Sequence, residues 1–287
     1  MPFAIFWGCK TGYYQRGYKM ATSAVIRELG IKAVELEFNC CGYPVRELYF
    51  EAFIQSAARN LALAGHEGLD VLTGCKCCFG NLKYADHYLR GDTAMQKVVN
   101  RQLEKEGLTW TGQVGIYHLL SVLDQETGPE MIHDRAVLPL QGTRIAAHYG
   151  CQALRPSLIT EFDNPLNPTI FERLVQATGA TSVYWHRRLE CCGDPVRIKN
   201  PDLSIGQLKA KTDSARAAGA DFICAACNNC LMQFNVHQPI AVAKGLVQEM
   251  PTLAYSQLLG LSLGLPRQAL GLEDNCYDKL LPMSSAA

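Results

Sequence analysis

The 287-residue chain has no excess of charge of either sign, with 27 Lys plus Arg against 27 Asp plus Glu. Nothing in that balance calls for nucleic acid or an anionic membrane surface as partner. Long apolar runs are absent too. A stretch such as Leu258 to Leu265 is well short of the roughly 20 residues a membrane-crossing helix needs. No Gly-x-Gly-x-x-Gly or phosphate loop follows a β-rich run, so no bound nucleotide is expected. The seven histidines include no His-x-x-x-His pair. Met1 to Lys10 is apolar, without a basic start or a following cleavage site, and reads as a first strand rather than a signal peptide. The expected location is cytoplasmic, where ordinary thiols stay reduced. A chain of this length can build two domains with real cores and needs no disulfides to hold it together.

Cysteine is what the chain has in plenty. Thirteen of them in a reducing compartment point to metal or redox chemistry. Ten fall into one pattern written twice: Cys9, Cys40-Cys41-Gly42, Cys75 and Cys78, then Cys151, Cys191-Cys192-Gly193, Cys227 and Cys230. The heptapeptides Cys40-Cys41-Gly42-Tyr43-Pro44-Val45-Arg46 and Cys191-Cys192-Gly193-Asp194-Pro195-Val196-Arg197 are nearly the same. The offset between copies is 142 at the first cysteine, 151 at the adjacent pair and 152 at the last pair. One insertion explains the jump, and Asn164-Pro165-Leu166-Asn167-Pro168 reads as that loop. Two sets of five cysteines in register mark a duplicated thiolate site.

Both copies alternate β-rich runs with amphipathic stretches. The first reads as strand Phe3–Trp7, helix Lys19–Leu29, strand Ala33–Phe38, helix Glu47–Ala64, strand Asp70–Thr73 and a helix from Phe79 toward Leu89. The second reads as strand Arg144–Tyr149, helix Thr169–Thr178, strand Ser182–Trp185, helix Ser204–Ala218 and strand Phe222–Ala225. Gly30, Gly65, Gly179 and Gly219 stand where left-handed helix caps are expected. Such alternation predicts an α/β protein of two pseudo-symmetric Rossmann-like halves, each a small parallel sheet flanked by helices, with the cysteines on strand-end loops. The expected division is a first domain over 1–110, a linker over 111–143, a second domain over 144–265 and a tail over 266–287. The linker carries a polar helix, Thr93–Glu106, running into it and an apolar segment at Val114–Leu123; a further strand and helix fall in Thr252–Leu263.

Iron–sulfur clusters and zinc are the usual occupants of multi-thiolate sites. Structural zinc takes four ligands, commonly as two close pairs. Here each set has five, two of them adjacent. Neighbouring cysteines do not easily bind one tetrahedral ion together, but they can bind two irons of a larger core.

The double Cys-Cys-Gly-x-Pro … Cys-x-x-Cys arrangement resembles the cysteine-rich CCG domains of the heterodisulfide reductase B-type subunits. The segment from Cys227 to Gln238, with glutamine eight places after the last cysteine, is similar to that family's C-terminal signature. The likeness runs to about Leu263. It implies two noncubane [4Fe-4S] clusters, one held by Cys9, Cys40, Cys41, Cys75 and Cys78, the other by Cys151, Cys191, Cys192, Cys227 and Cys230. It also implies an oxidoreductase subunit that reduces, or forms in reverse, a sulfur–sulfur bond between the clusters. The substrate would be a disulfide or a sulfur-carrying thiol. A ferredoxin-like [4Fe-4S] subunit and an FAD-containing subunit would supply electrons. Related CCG proteins of lactate, glycerol-phosphate and succinate oxidation share the cysteine pairs and match less well at Gly-x-Pro and the last signature. The reading from another class is a non-catalytic electron-relay or assembly subunit, with zinc or a conventional cluster in one half.

Cys77 and Cys224 read as small buried hydrophobes and stand as the alternative ligands in a shifted register; Cys276 has no partner spacing. His148, His186 and His237 flank the second set in sequence and are candidates to donate protons, with hydrogen-bonded wall residues as the plainer alternative. Arg46 and Arg197 read as supports of the Cys-Cys-Gly loops, and Lys10 and Lys76 as balancing charge beside ligands.

Overall fold

A computed structural model describes residues 2–272. Two four-stranded sheets carry the fold. The first comprises β1 (Phe3–Ile5), β2 (Ala33–Glu35), β3 (Asp70–Thr73) and β4 (Ile116–His118), in the order β2-β1-β3-β4. The second comprises β5 (Arg144–His148), β6 (Thr181–Ser182), β7 (Phe222–Ala225) and β8 (Thr252–Ala254), in the order β6-β5-β7-β8. Every neighbouring pair is parallel. These are the two Rossmann-like α/β halves expected from the alternation.

The central strands are apolar because helices cover both faces. Phe3-Ala4-Ile5 and Phe222-Ile223-Cys224-Ala225 are wholly buried, whereas β2 and β6 lie at open edges. Strand order reverses between β1 and β3, and again between β5 and β7. The loops leaving those strands therefore diverge around a crevice at the carboxyl edge. Cys9 and Cys75 follow β1 and β3, and Cys151 and Cys227 follow β5 and β7.

The helices Phe50–His66 and Pro201–Ala217 are both 17 residues long and stand 151 positions apart, the offset of the cysteine pairs. Gly30, Gly179 and Gly219 take the left-handed conformation expected of caps. Gly65 does not: the helix runs on to His66, and Gly68 takes the left-handed position while the Leu69 amide closes on the Ala64 carbonyl. The stretch 111–143 is more than a connection, since it places β4 beside β3, with Val71 opposite Ile116.

Residues 266–272 dock rather than trail. The short helical turn Arg267–Leu270 packs on the helix Arg16–Glu28, and a Cβ on Gly17 would lie 2.8 Å from the Gly271 carbonyl oxygen. Thr22 of that helix meets Ser256 at 3.0 Å, so the C-terminal elements clasp the first half. Cys276 lies outside the described residues. Among the described residues, no helix is long and apolar enough to cross a membrane.

Candidate functional site

Each Cys-x-x-Cys motif begins a helix. The helices start at Lys76 and Asn228, the first of them three residues before the start at Phe79 expected from sequence. Cys75 and Cys227 are thus the residues before the first turn, and Cys78 and Cys230 lie within it. Free amides at a helix start favour thiolate charge.

Each Cys-Cys-Gly loop turns on its glycine. Gly42 and Gly193 have φ of 81° and 93°, a left-handed conformation costly for other residues. A Cβ on Gly42 would also come within 2.9 Å of the Phe53 carbonyl oxygen, and one on Gly193 within 2.9 Å of that of Ser204. The tight approach leaves the Gly193 amide 3.4 Å from the Cys191 sulfur. Pro44 and Pro195 then sit in short helical turns, Tyr43–Val45 and Asp194–Val196.

Folding gathers all ten repeat cysteines into a file of neighbouring sulfurs. Cys9 and Cys40 are 3.7 Å apart at the exposed end of the first set. The Cys40 and Cys78 thiols draw Cys41 well below the usual thiol range, and those of Cys230 and Cys75 do the same for Cys227. Cys191 is drawn down to about 2 by the thiols of Cys151 and Cys192, while Cys151, which donates to it and is partly buried, is pushed up. The sets meet where Cys75 and Cys227 bring their sulfurs within 4.0 Å. Among the described residues, no three His, Cys, Asp or Glu side chains form a ready site for one metal ion. Soft sulfurs sharing protons along a file fit a multi-centre thiophilic core whose binding displaces those protons.

Four buried side chains brace this frame at equivalent positions. Asn60 accepts from the Asn39 amide at 2.7 Å and donates to the Cys40 carbonyl at 3.1 Å. Its counterpart 151 residues on, Lys211, donates to the Arg187 carbonyl and lies 4.9 Å from the Trp185 ring centre. Asn228 crosses into the first half to donate to the Trp7 carbonyl at 3.0 Å. Its counterpart, Lys76, crosses into the second to donate to the His148 carbonyl at 3.4 Å, over the rings of Phe171 and Tyr149 at 4.5 and 4.8 Å. Burial lowers both lysines to about 8, against the opposing pull of nearby sulfurs. Sequence reading noted Lys76 and missed the other three. Aligning the two helices by the cysteine offset would have found Asn60 and Lys211.

The histidines separate into different roles. His148 is buried, its Nε2 3.2 Å from the Cys230 sulfur, and burial keeps it neutral. Among the described residues Nδ1 has no partner, so a ring proton carried on Nε2 would be donated to that sulfur. His237 Nε2 lies 3.6 Å from Asp194 Oδ1, and Lys10 reaches the other carboxylate oxygen at 3.0 Å. His186, expected to border the second set, is instead exposed against Tyr184; Trp185 takes the buried position of that extended loop and turns its neighbours outward. His118 at the end of β4 was not anticipated. Its Nδ1 accepts from the Leu120 amide, so Nε2 donates, to the carbonyls of Gly74 at 3.2 Å and Ala226 at 3.3 Å. One ring thus ties together the residues preceding Cys75 and Cys227.

Cys224 is fully buried on β7, as a small hydrophobe would be. Cys77 lines a pocket with Tyr43 and Lys76 from the first half and Cys151, Gln152 and Cys191 from the second. Arg46 bonds Asn81 at 3.1 Å and Arg197 stands 3.9 Å from Asp194, both supporting their loops. Gln238 is structural: it ties the Phe234 and Met250 carbonyls, each at 2.9 Å.

The cysteine-rich domain called CCG matches the chain twice, over residues 3–83 and 145–235. The fold and site therefore define a duplicated CCG protein. The chain is 35% identical over 284 residues to the B subunit of the ferredoxin:CoB-CoM heterodisulfide reductase of Methanosarcina mazei, covering 96% of this chain and 94% of that one. It belongs to the family of heterodisulfide reductase B-type subunits. It is also 34% identical over 280 residues to the 8-methylmenaquinol:fumarate reductase membrane anchor subunit of Wolinella succinogenes, covering 96% and 97%. Its overall identity to that relative is close to its identity to the Methanosarcina mazei subunit. In three dimensions the chain resembles a hypothetical protein from Helicobacter pylori with TM-score 0.73 and 17% identity, covering 95% of this chain and 51% of that one. That likeness concerns the fold alone.

Proposed function

We propose that this chain is the iron–sulfur catalytic subunit of a heterodisulfide-reductase-like oxidoreductase. The observation that carries the reading is the 4.0 Å approach of Cys75 and Cys227, which makes two five-cysteine cages into neighbours able to share one small substrate. Cys9, Cys40, Cys41, Cys75 and Cys78 would hold one noncubane [4Fe-4S] cluster, and Cys151, Cys191, Cys192, Cys227 and Cys230 the other. When bound, such clusters supply one-electron storage and thiophilic iron.

The chemistry is R–S–S–R′ plus two electrons and two protons giving two thiols, or its reverse. The chain's own residues would bind and orient the substrate and handle protons. Tyr43, Gln152 and Pro195 line the pocket between the halves. Lys10 and His237 converge on Asp194 at 3.0 and 3.6 Å and would relay protons there. His148, buried and neutral, orients Cys230 rather than trading protons with solvent. Electrons would come from a ferredoxin-like [4Fe-4S] subunit fed by an FAD-containing subunit; the ferredoxin in the name of the Methanosarcina mazei relative supports a ferredoxin-type donor. The fumarate reductase relative favours a second reading, an electron-relay subunit that cleaves no sulfur–sulfur bond.

Iron and sulfide analysis with Mössbauer spectroscopy on anaerobic protein tests the proposal. About eight irons with matching sulfide are expected from two four-iron cores, together with a spectral change when a disulfide is added to the reduced protein. One zinc per chain, or a single conventional cluster, overturns it. Two clusters indifferent to disulfide leave the relay reading in its place.

A further inference from the structure

The duplicated cages share a hydrogen-bonding frame but not its charge. Asn60 and Asn228 brace the first, and their positional counterparts Lys211 and Lys76 brace the second. In both cages the side chain donates to a backbone carbonyl of a loop or a strand end, so the exchange of amide for ammonium leaves that role in place and adds two positive charges. Lys76 and Lys211 are each 1% exposed and form no ion pair among the described residues. Glu172 acts on Lys76 and Glu190 on Lys211 only from beyond ion-pair distance, each carboxylate being engaged by its own arginine, Arg188 and Arg187, and burial keeps water from screening the two ammonium charges. The sulfurs acting on them are Cys230, Cys227 and Cys224 for Lys76, and Cys192, Cys230 and Cys191 for Lys211. Beside the first cage stands Lys10, a third exposed and neutralised by Asp194.

Resting on the proposed occupancy of both cages, we infer that Lys76 and Lys211 make the second cage the easier of the two to reduce. Buried positive charge beside a thiolate-bound core favours its more negative, reduced form. An electron arriving at the first cage, whose Cys9 end is exposed, then moves downhill toward the second. The lysines act as positioning charges and touch no reacting atom in this assignment.

The test is a redox titration of anaerobic, iron-loaded protein followed by electron paramagnetic resonance. Cys192→Ser, which retains only the first cage, and Cys41→Ser, which retains only the second, assign the two signals. The second-cage signal is expected at the higher potential in the unaltered protein, a comparison that needs no lysine variant to fold. Lys211→Asn and Lys76→Asn borrow the residue used by the other half. Each is expected to lower the reduced-to-oxidised ratio of the second cage at fixed potential roughly tenfold, about 59 mV for a one-electron couple, with the first cage unmoved. Lys209→Asn, exposed and two residues away, is expected to move neither. Equal potentials, a higher first cage, or equal shifts in both signals overturn the charge assignment alone. Protein without iron in either cage overturns the functional reading on which it rests.

Discussion

The two halves place their cysteines on the same loops of the same sheet order, yet they treat them differently. In the first, Cys9 is exposed, Cys40 half-buried, and the bracing side chains are neutral amides. In the second, the outermost cysteines, Cys151 and Cys191, are both half-buried, and the braces are ammoniums. Duplication preserved what geometry demands: the left-handed glycine, the helix starting at the Cys-x-x-Cys, and side-chain donors to backbone carbonyls. It let charge and exposure drift apart. A two-cage protein can thus keep one architecture for binding and use the surrounding field to make its cages unequal.

The largest effect separates the cages outright. Cys41→Ser and Cys192→Ser are each expected to lose about half of the iron and sulfide of anaerobic protein, one from each half. Retention of full iron by both variants would show the ligand sets to be wrong.

Next come the loop glycines. Gly42→Ala and Gly193→Ala each force a left-handed alanine against a backbone carbonyl at 2.9 Å. Each is expected to destabilise metal-free protein by about 2 kcal/mol or more in denaturant unfolding. Similar losses would confirm that the loops are equivalent, and a loss in one alone would break the comparison.

His118 belongs to both halves. His118→Phe keeps a buried ring but leaves the Gly74 and Ala226 carbonyls without its donor, an expected cost of about 1–3 kcal/mol. Burial lowers His118 to about 3 in the folded chain, whereas the unfolded chain binds the proton near 6.5. Between those values the unfolded state holds more protons. The stability this neutral ring permits is therefore full above 6.5 and lost as pH falls toward 3. From pH 7 to 5 the unaltered protein is expected to lose about 2 kcal/mol more than His118→Phe, read from urea unfolding at both pH values. Identical pH slopes would remove His118 as the cause.

The smallest effect is on the surface. Lys209→Ala breaks an exposed pair with Asp213 and is expected to change stability by about 0.5 kcal/mol or less. A larger change in thermal unfolding would mean that the flank of the Lys211 helix is strained.

Much of the fold was legible because helical and strand periodicities are local. The run Asp70–Thr73 and the run Phe222–Ala225 are strands with the expected bounds. The helix starts were misplaced because cysteine at a helix start carries no strong signal, whereas Ser or Asp would have announced it. β4 was hidden inside an apolar stretch of the supposed linker, since three residues are too few to show a period. The exposure of His186 was not legible either: nearness to Cys191 in sequence does not say which way a turn points its side chains.

Sequence alone determined that there are two sets of five cysteines and which residues compose them, because repeated spacing is a one-dimensional property that survives any fold. Tertiary structure decided that the sets touch at Cys75 and Cys227, that His118 bridges them, and that Asn228 and Lys76 each serve the opposite half. Those facts depend on how the helices and loops of the two halves pack against one another, and packing distance is set by side chains remote in sequence that meet only in the folded chain.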